Sequence, residues 1–388
     1  MTRKPTRNAQ GSGTIRHRSD GRWEARYTVG RDPGTGKQVQ KSVYGKTQQE
    51  VRKKLIAATS AIDDGVYIEP SKMTFGQWLD IWLSDFCGNV KPKTRELYRG
   101  SIEYRIKPAL GKQRLLSLNT AMIQHAYNNA LQGTKDKPGV SPKTVKNLHG
   151  IVHKALKQAV EAGYIRYNPA DACKLPRIEK PQIKPLGRDE LGRFLKAIKG
   201  DPFERLFLVT LFTGVREGEV LGLPWDCVDF EKGTILIRQQ LQLSKGQYNL
   251  VPLKNDRPRT ITPAPFVMDI LRQQKAAQAE QRLKIGSIWI DSGFVFTNEI
   301  GDHLSRHTVY KHFKKAAEIA GVPSARFHDL RHTFAVVSLE SGDDIKTVQE
   351  NLGHATASFT LDVYGHVSER MKQESAQRMQ NFIDSLGK

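Results

Sequence analysis

The sequence predicts a multidomain, mostly α protein with small β-sheets: an N-terminal three-stranded sheet plus helix, a helical middle domain, and a mixed α+β C-terminal domain. Three observations predict it. The chain has 388 residues, too many for one ordinary domain. Its apolar residues recur with period two around Arg22–Val29, with period 3.6 after Phe75, and with both periods beyond Leu186. A charged, proline-punctuated stretch from Pro176 to Pro185 reads as a linker. The expected domains are 1–64, 71–176 and 186–388, the last ending in a helical tail.

Charge narrows the partner. The formal net charge is +21, and Met1 to Lys54 holds fourteen Lys/Arg against four Asp/Glu. Such an excess calls for a polyanion, nucleic acid ahead of an anionic membrane. A run of about 18 apolar residues, which a membrane span needs, is absent from the sequence. The N-terminal MTRKPTRNAQGSG is basic without an apolar core, unlike a signal peptide. Cys87, Cys173 and Cys227 are scattered without metal spacing, which suits buried thiols in a reducing compartment.

In the first part, Arg22 to Val29 alternates Trp23, Ala25, Tyr27 and Val29 with Arg22, Glu24, Arg26 and Thr28, a half-buried strand. Ser19-Asp20-Gly21 and Asp32 to Gly36 are turn signals, and Thr14–Arg18 and Gln38–Tyr44 are the flanking strands. Thr47 opens a helix, with Glu50 completing a capping box. The exposed face of this sheet is expected to carry Arg16, Arg22, Arg26 and Lys41, a set suited to a major groove. In the second part, Phe75, Trp78, Leu79, Trp82 and Phe86 form a helical stripe, read as core. Ser141-Pro142 starts a helix whose buried side is Val145, Leu148, Val152, Leu156 and Ala159. Lys143, Lys146 and Lys154 lie elsewhere on it, within reach of phosphates. Gly163 ends it.

The third part carries the chemistry. Thr213-Gly214-Val215-Arg216-Glu217-Gly218-Glu219 follows an apolar run, with Thr213 or Gly214 expected to cap the next helix. Arg216 then projects from the first turn, where Glu219 orients it. Lys254 is expected near a hairpin tip between strands Thr234–Leu243 and Arg259–Thr262. His328 and Arg331 share a helical face, while Leu330, Phe334 and Val337 bury another. Asp344 caps a helix with core positions Ile345, Val348 and Leu352. Gly353 ends it and His354 follows. Tyr364 stands beside Gly365. Taken singly, each has an ordinary explanation: a surface ion pair, a solubilising lysine, a packed tyrosine. Together they are groups that hold, neutralise, protonate and attack a phosphate.

The order Arg216, Lys254, His328-x-x-Arg331, Leu352-Gly353-His354 and Tyr364 resembles the tyrosine recombinase (phage integrase) family, without departure at those six positions. The first part resembles the arm-type DNA-binding domains of integrases from conjugative transposons. The second resembles the helical core-binding domain, and the third the mixed α+β tyrosine recombinase catalytic domain. The resemblance implies site-specific integration and excision of a mobile element, through a 3′-phosphotyrosine and a Holliday junction, with no cofactor, metal or ATP. Tyr364 would be the nucleophile, Lys254 the general acid, and Arg216, Arg331 and His354 the phosphate donors. His328 would accept the tyrosine proton or hold the phosphate. The implied partners are double-stranded DNA at core and arm sites, three further copies on two duplexes, and an excisionase or DNA-bending proteins, in the bacterial cytoplasm at the nucleoid. The tail, with Met371, Met379, Phe382, Ile383 and Leu386 at helical spacing, would pack on its own domain or on a neighbour. A type IB topoisomerase shares the chemistry, but relaxation needs no separate basic sheet. A DNA-binding regulator would not need all six residues.

Overall fold

The computed structural model describes residues 13–31, 37–63, 72–134, 137–179, 184–253, 257–353 and 369–386. The chain divides into two compact units, Met1–Glu179 and Lys180–Lys388.

The first unit opens with an antiparallel sheet in the order β1 (Thr14–His17), β2 (Trp23–Arg31), β3 (Gln38–Gly45), followed by helix α1 (Gln48–Asp63). Alternation puts Ala25 and Tyr27 of β2 against Val51 and Leu55 of α1, and these four form the core. The opposite face is basic. Register pairs Arg16 with Glu24 and Arg26 with Ser42, so these four share that face. Lys41 is paired with Tyr27 and therefore belongs to the α1 side, not to the basic face; the one-residue alternation of the strand excludes it.

Helices α2 (Phe75–Ile81), α3 (Pro92–Ser101), α4 (Lys107–Leu110), α5 (Thr120–Gln132) and α6 (Pro142–Glu161) make the rest of the unit, with a small hairpin of β4 (Gly133–Thr134) and β5 (Lys137–Pro138). Trp78 is fully buried, its indole N–H donating to Ala155 O at 2.8 Å. The expected stripe holds to Trp82 and then fails. Trp82–Phe86 is a π-helical turn, which holds one residue more than an α turn. The phase slips, Leu83 is buried, and Phe86 is 43% exposed. A second π turn, Ile102–Ile106, follows α3. In α6 the Ser141 side chain accepts from Thr144 N at 3.2 Å, and the apolar side is buried as expected.

The second unit packs helices α7 (Arg188–Ala197), α8 (Glu204–Thr213), α10 (Pro265–Ile285), α11 (Arg306–Ile319) and α12 (Phe327–Glu340) around an apolar core. Phe194, Phe207, Phe313 and Phe327 meet there with ring centroids 5.6–6.3 Å apart. Beside them lie the short helix α9 (Glu217–Leu221) and a three-stranded sheet in the order β10 (Arg259–Ile261), β7 (Thr234–Ile237), β6 (Val228–Asp229). The expected strand Thr234–Leu243 is two strands. β7 ends at Ile237, and β8 (Gln239–Ser244) forms a separate hairpin with β9 (Gln247–Pro252). Its turn is Lys245-Gly246, with φ of 51° and 77°. The tip of this hairpin is thus at Lys245, and the expectation for Lys254 lies outside the described residues.

Helix α13 (Ile345–Leu352) joins α12 through a separate cluster of Ala335, Leu339, Val348 and Leu352. Asp344 caps it by accepting from Thr347 N at 2.9 Å, and Gly353 ends it with φ +63°. Val337 and Ile345 are exposed. The buried side of α12 is set by Leu330, Arg331, Ala335, Ser338 and Leu339 instead. A C-terminal helix, Glu369–Ser385, carries Met379, Phe382 and Ile383, all exposed, with exposed Leu386 just beyond it.

Candidate active site

Three helix ends and the first turns of α12 build the site. Helix α8 ends at Gly214 with φ +66°. Neither Thr213 nor Gly214 caps the next helix: Thr213 spends its hydroxyl on Val209 O at 2.6 Å, inside α8. The cap of α9 is Arg216 itself, whose backbone N–H donates to Glu219 Oε2 at 2.9 Å. Its side chain returns to the same carboxylate, Nη1 to Oε1 at 2.7 Å, while Nη2 reaches Gly353 O at 3.3 Å.

Arg331 comes from α12 and is 2% exposed. Its Nη1 donates to Gly214 O at 2.7 Å and its Nη2 to Leu352 O at 2.6 Å. Both acceptors lie at the carboxyl ends of helices, where carbonyls lack intrahelical partners and the helix dipole is negative. A guanidinium there satisfies the carbonyls and is held in a fixed pose. Arg216 and Arg331 thus bind the adjoining carbonyls of Gly353 and Leu352, and the two cations converge on the end of α13. His354 is the next residue. It lies outside the described residues, as do Lys254 and Tyr364.

His328 stands one turn before Arg331. Its surroundings hold it at a pKa of about 4, first by withholding water and then through His332, Arg331 and Arg216. It is a neutral imidazole at pH 7. His332, whose ring meets that of His328 edge-on with centroids 4.7 Å apart, is likewise lowered to about 4, chiefly by burial. Glu219 is 1% exposed. Burial alone would raise its pKa, but the hydrogen bond and charge of Arg259, then the charge of Arg216, hold it at about 2. It is a carboxylate at every working pH.

Arg259 escaped sequence reading. Its Nη2 and Nη1 donate to Glu219 Oε2 and Oε1 at 2.6 and 3.1 Å, and its Nε to Asn351 O at 2.8 Å. A signal existed: in β10, Arg259 shares its face with buried Ile261, so the arginine alternates inward.

The basic sheet forms a second candidate interface. Glu24 is buried at its centre, accepting from Arg16 at 2.6 Å, Arg26 at 3.1 Å and the Ser42 hydroxyl at 2.8 Å. The Ser42 hydroxyl, then Arg16 and Arg26, hold it at about 2. Arg22 pairs with Asp20 at 2.8 Å, and Arg18, not singled out from the sequence, lies with Arg22 over the Tyr44 ring. Lys143, Lys146 and Lys154 are exposed on α6, with Lys154 Nζ donating to the Tyr98 hydroxyl at 3.2 Å.

This geometry has relatives. Residues 185–371 match the phage integrase family, and residues 74–131 match the phage integrase N-terminal SAM-like domain. A tyrosine recombinase XerC-like protein of Caldanaerobacter subterraneus subsp. tengcongensis is 30% identical over 377 residues, 92% of this chain and 95% of the relative. The chain belongs to the phage integrase family. It is a site-specific DNA recombinase of the tyrosine type. Another relative of this recombinase is the ICEBs1 integrase of Bacillus subtilis, 23% identical over 95% of this chain and all of that protein. The Tn1549 transposon integrase bound to circular intermediate DNA shares its fold, with a TM-score of 0.65 at 22% identity, covering 79% of this chain and all of that one. So does the lambda integrase solved as a tetramer on a Holliday junction, with a TM-score of 0.56 at 20% identity over 93% and 98% of the two chains. Among the described residues of this recombinase, no helix is long and apolar enough to cross a membrane.

Proposed function

We propose that this recombinase moves a mobile element by covalent phosphoryl transfer, with Tyr364 attacking a DNA phosphodiester to give a 3′-phosphotyrosine and a free 5′-hydroxyl. The bond energy stays in the protein–DNA link, so rejoining needs no ATP. The observation that carries this reading is the convergence of Arg216 and Arg331 on the end of α13, directly before His354. Two fixed guanidiniums aimed at one place stabilise the charge that gathers on non-bridging oxygens in the transition state. His354 adds a third donor. Neutral His328 is able to accept the Tyr364 proton, and Lys254 protonates the departing 5′-oxygen. Arginine charge takes the part that metal ions play in many phosphoryl transfers.

The division of labour follows the chain. Residues 1–64 bind arm-type DNA through Arg16, Arg22 and Arg26; residues 71–176 grip the core site, with Lys143, Lys146 and Lys154 on phosphates; residues 186–388 cut and rejoin. Four copies act on two duplexes through a Holliday junction, in the bacterial cytoplasm at the nucleoid, helped by an excisionase or DNA-bending proteins. A nicked suicide duplex tests the chemistry. The parent should form a gel-stable adduct, and Tyr364→Phe should bind the same DNA and form none. An adduct from the Phe variant would overturn the assignment.

A further inference from the structure

Arg259 joins three segments from which reacting groups emerge. It grips Glu219, which holds Arg216. Its Nε holds the carbonyl of Asn351 near the end of α13, just ahead of His354. It opens β10, directly after the segment that contains Lys254. The fit is close. A Cβ on Gly353, which has φ +63°, would stand 3.1 Å from Arg259 Cδ and Nη1, so this backbone conformation and the approach of the arginine both favour glycine. The Arg259 side chain is 10% exposed, against 27% for Arg216. Arg259 thus faces inward, while Arg216 opens toward solvent, where DNA would lie.

The inference rests on the recombination reading above. We propose that Arg259 is a positioning residue for the reaction: by occupying both oxygens of Glu219, it limits Arg216 to one Nη contact with that carboxylate and leaves the remaining guanidinium edge to the scissile phosphate. A carboxylate and a guanidinium left alone prefer a two-pronged fork. Without Arg259, the buried and ionised Glu219 would draw Arg216 into that fork and away from DNA. The Nε bond to Asn351 adds a second effect, tying the start of β10 to the end of α13.

Single-turnover cleavage of the suicide duplex, with DNA affinity measured in parallel, tests this. Arg259→Ala should slow adduct formation roughly 10- to 100-fold, as expected for a misplaced reacting group, with little change in Kd for the DNA. Arg259→Lys keeps the charge but cannot fork, and should fall between that variant and the parent. The double variant Arg259→Ala/Glu219→Gln should cleave faster than Arg259→Ala alone, because a neutral amide no longer captures Arg216. Removing the orphaned buried anion would also restore stability. Each rate is therefore normalised to the folded fraction read by circular dichroism, which a merely structural role would move while leaving the rate per folded molecule unchanged. A double variant no faster than Arg259→Ala, or Arg259→Lys as fast as the parent, would overturn the proposal. The Lys comparison carries the test if Arg259→Ala does not fold. A parent chain that formed no adduct would count instead against the recombination reading.

Discussion

Arg331 and Lys254 are both cations with different parts in the proposed chemistry, and a leaving-group substitution separates them. Arg331 is fixed between Gly214 O and Leu352 O and is assigned charge stabilisation. Lys254 is assigned proton transfer. On DNA with a 5′-phosphorothiolate at the scissile bond, sulfur departs without a proton. Lys254→Ala should regain cleavage on that substrate, while Arg331→Ala should stay inactive. Equal inactivity of both would remove the acid role from Lys254. The two histidines bear on stability. Folded His328 and His332 have pKa values of about 4, below the roughly 6.5 of an unfolded chain. The unfolded chain therefore takes up protons first. The stability these rings contribute is complete above about pH 6.5 and is lost as pH falls toward 4. His332→Gln should lessen this loss. Discounted for partial exposure, the effect at pH 5 is about 1 kcal/mol, or about 2–4 °C in Tm, readable by thermal denaturation at pH 7 and 5. A parent and a variant with equal Tm losses would contradict the shifted pKa.

At the scale of elements, glycine geometry makes a graded prediction. Gly214 and Gly321 both close helices at positive φ, +66° and +75°. A Cβ on Gly321 would meet only Arg193 Nε at 3.9 Å, whereas one on Gly214 would lie 2.4 Å from Phe334 and 2.7 Å from Leu352. Gly321→Ala should cost about 1 kcal/mol of backbone strain. Gly214→Ala should cost about 2–5 kcal/mol, since overpacking adds to strain, and it should also disturb Arg331 through the Gly214 carbonyl. Urea unfolding would rank the two, and equal costs would refute the packing argument. Elements were legible where a local rule suffices. The Asp344 cap, the Gly353 terminus, the α6 stripe and the alternation of β2 each depend on neighbours within a few residues. Reading failed where a distant partner decides. Nothing near Trp82 announces a π turn, so the helical spacing predicts Phe86 as core, where it is exposed. Apolar Val337 looks like core and is exposed, while Arg331, a charge, is buried by carbonyls from two other helices. Arg216, His328 and Arg331 stand out in the sequence because their motifs are contiguous. Arg259 was missed because its partners, Glu219 and Asn351, are remote in sequence.

At the scale of the molecule, the sheet with α1 has a core of its own, Ala25, Tyr27, Val51 and Leu55. The helices that follow it build around Trp78. Removing residues 1–71 should therefore leave core-site cleavage measurable and abolish arm-site protection in footprints. Loss of crossover-region binding by a truncated chain with intact circular dichroism would refute the proposed division. One motif recurs in both units: a buried carboxylate shared by arginines, Glu24 with Arg16, Arg18 and Arg26, Glu219 with Arg216 and Arg259. Its consequence is genetic. Replacing the carboxylate alone leaves neighbouring cations with no counter-charge, and replacing one arginine leaves a buried anion under-neutralised. Effects within each group will not add. Single-step evolutionary routes out of either arrangement pass through a weakened intermediate, so each group is expected to be inherited, or exchanged, as a block.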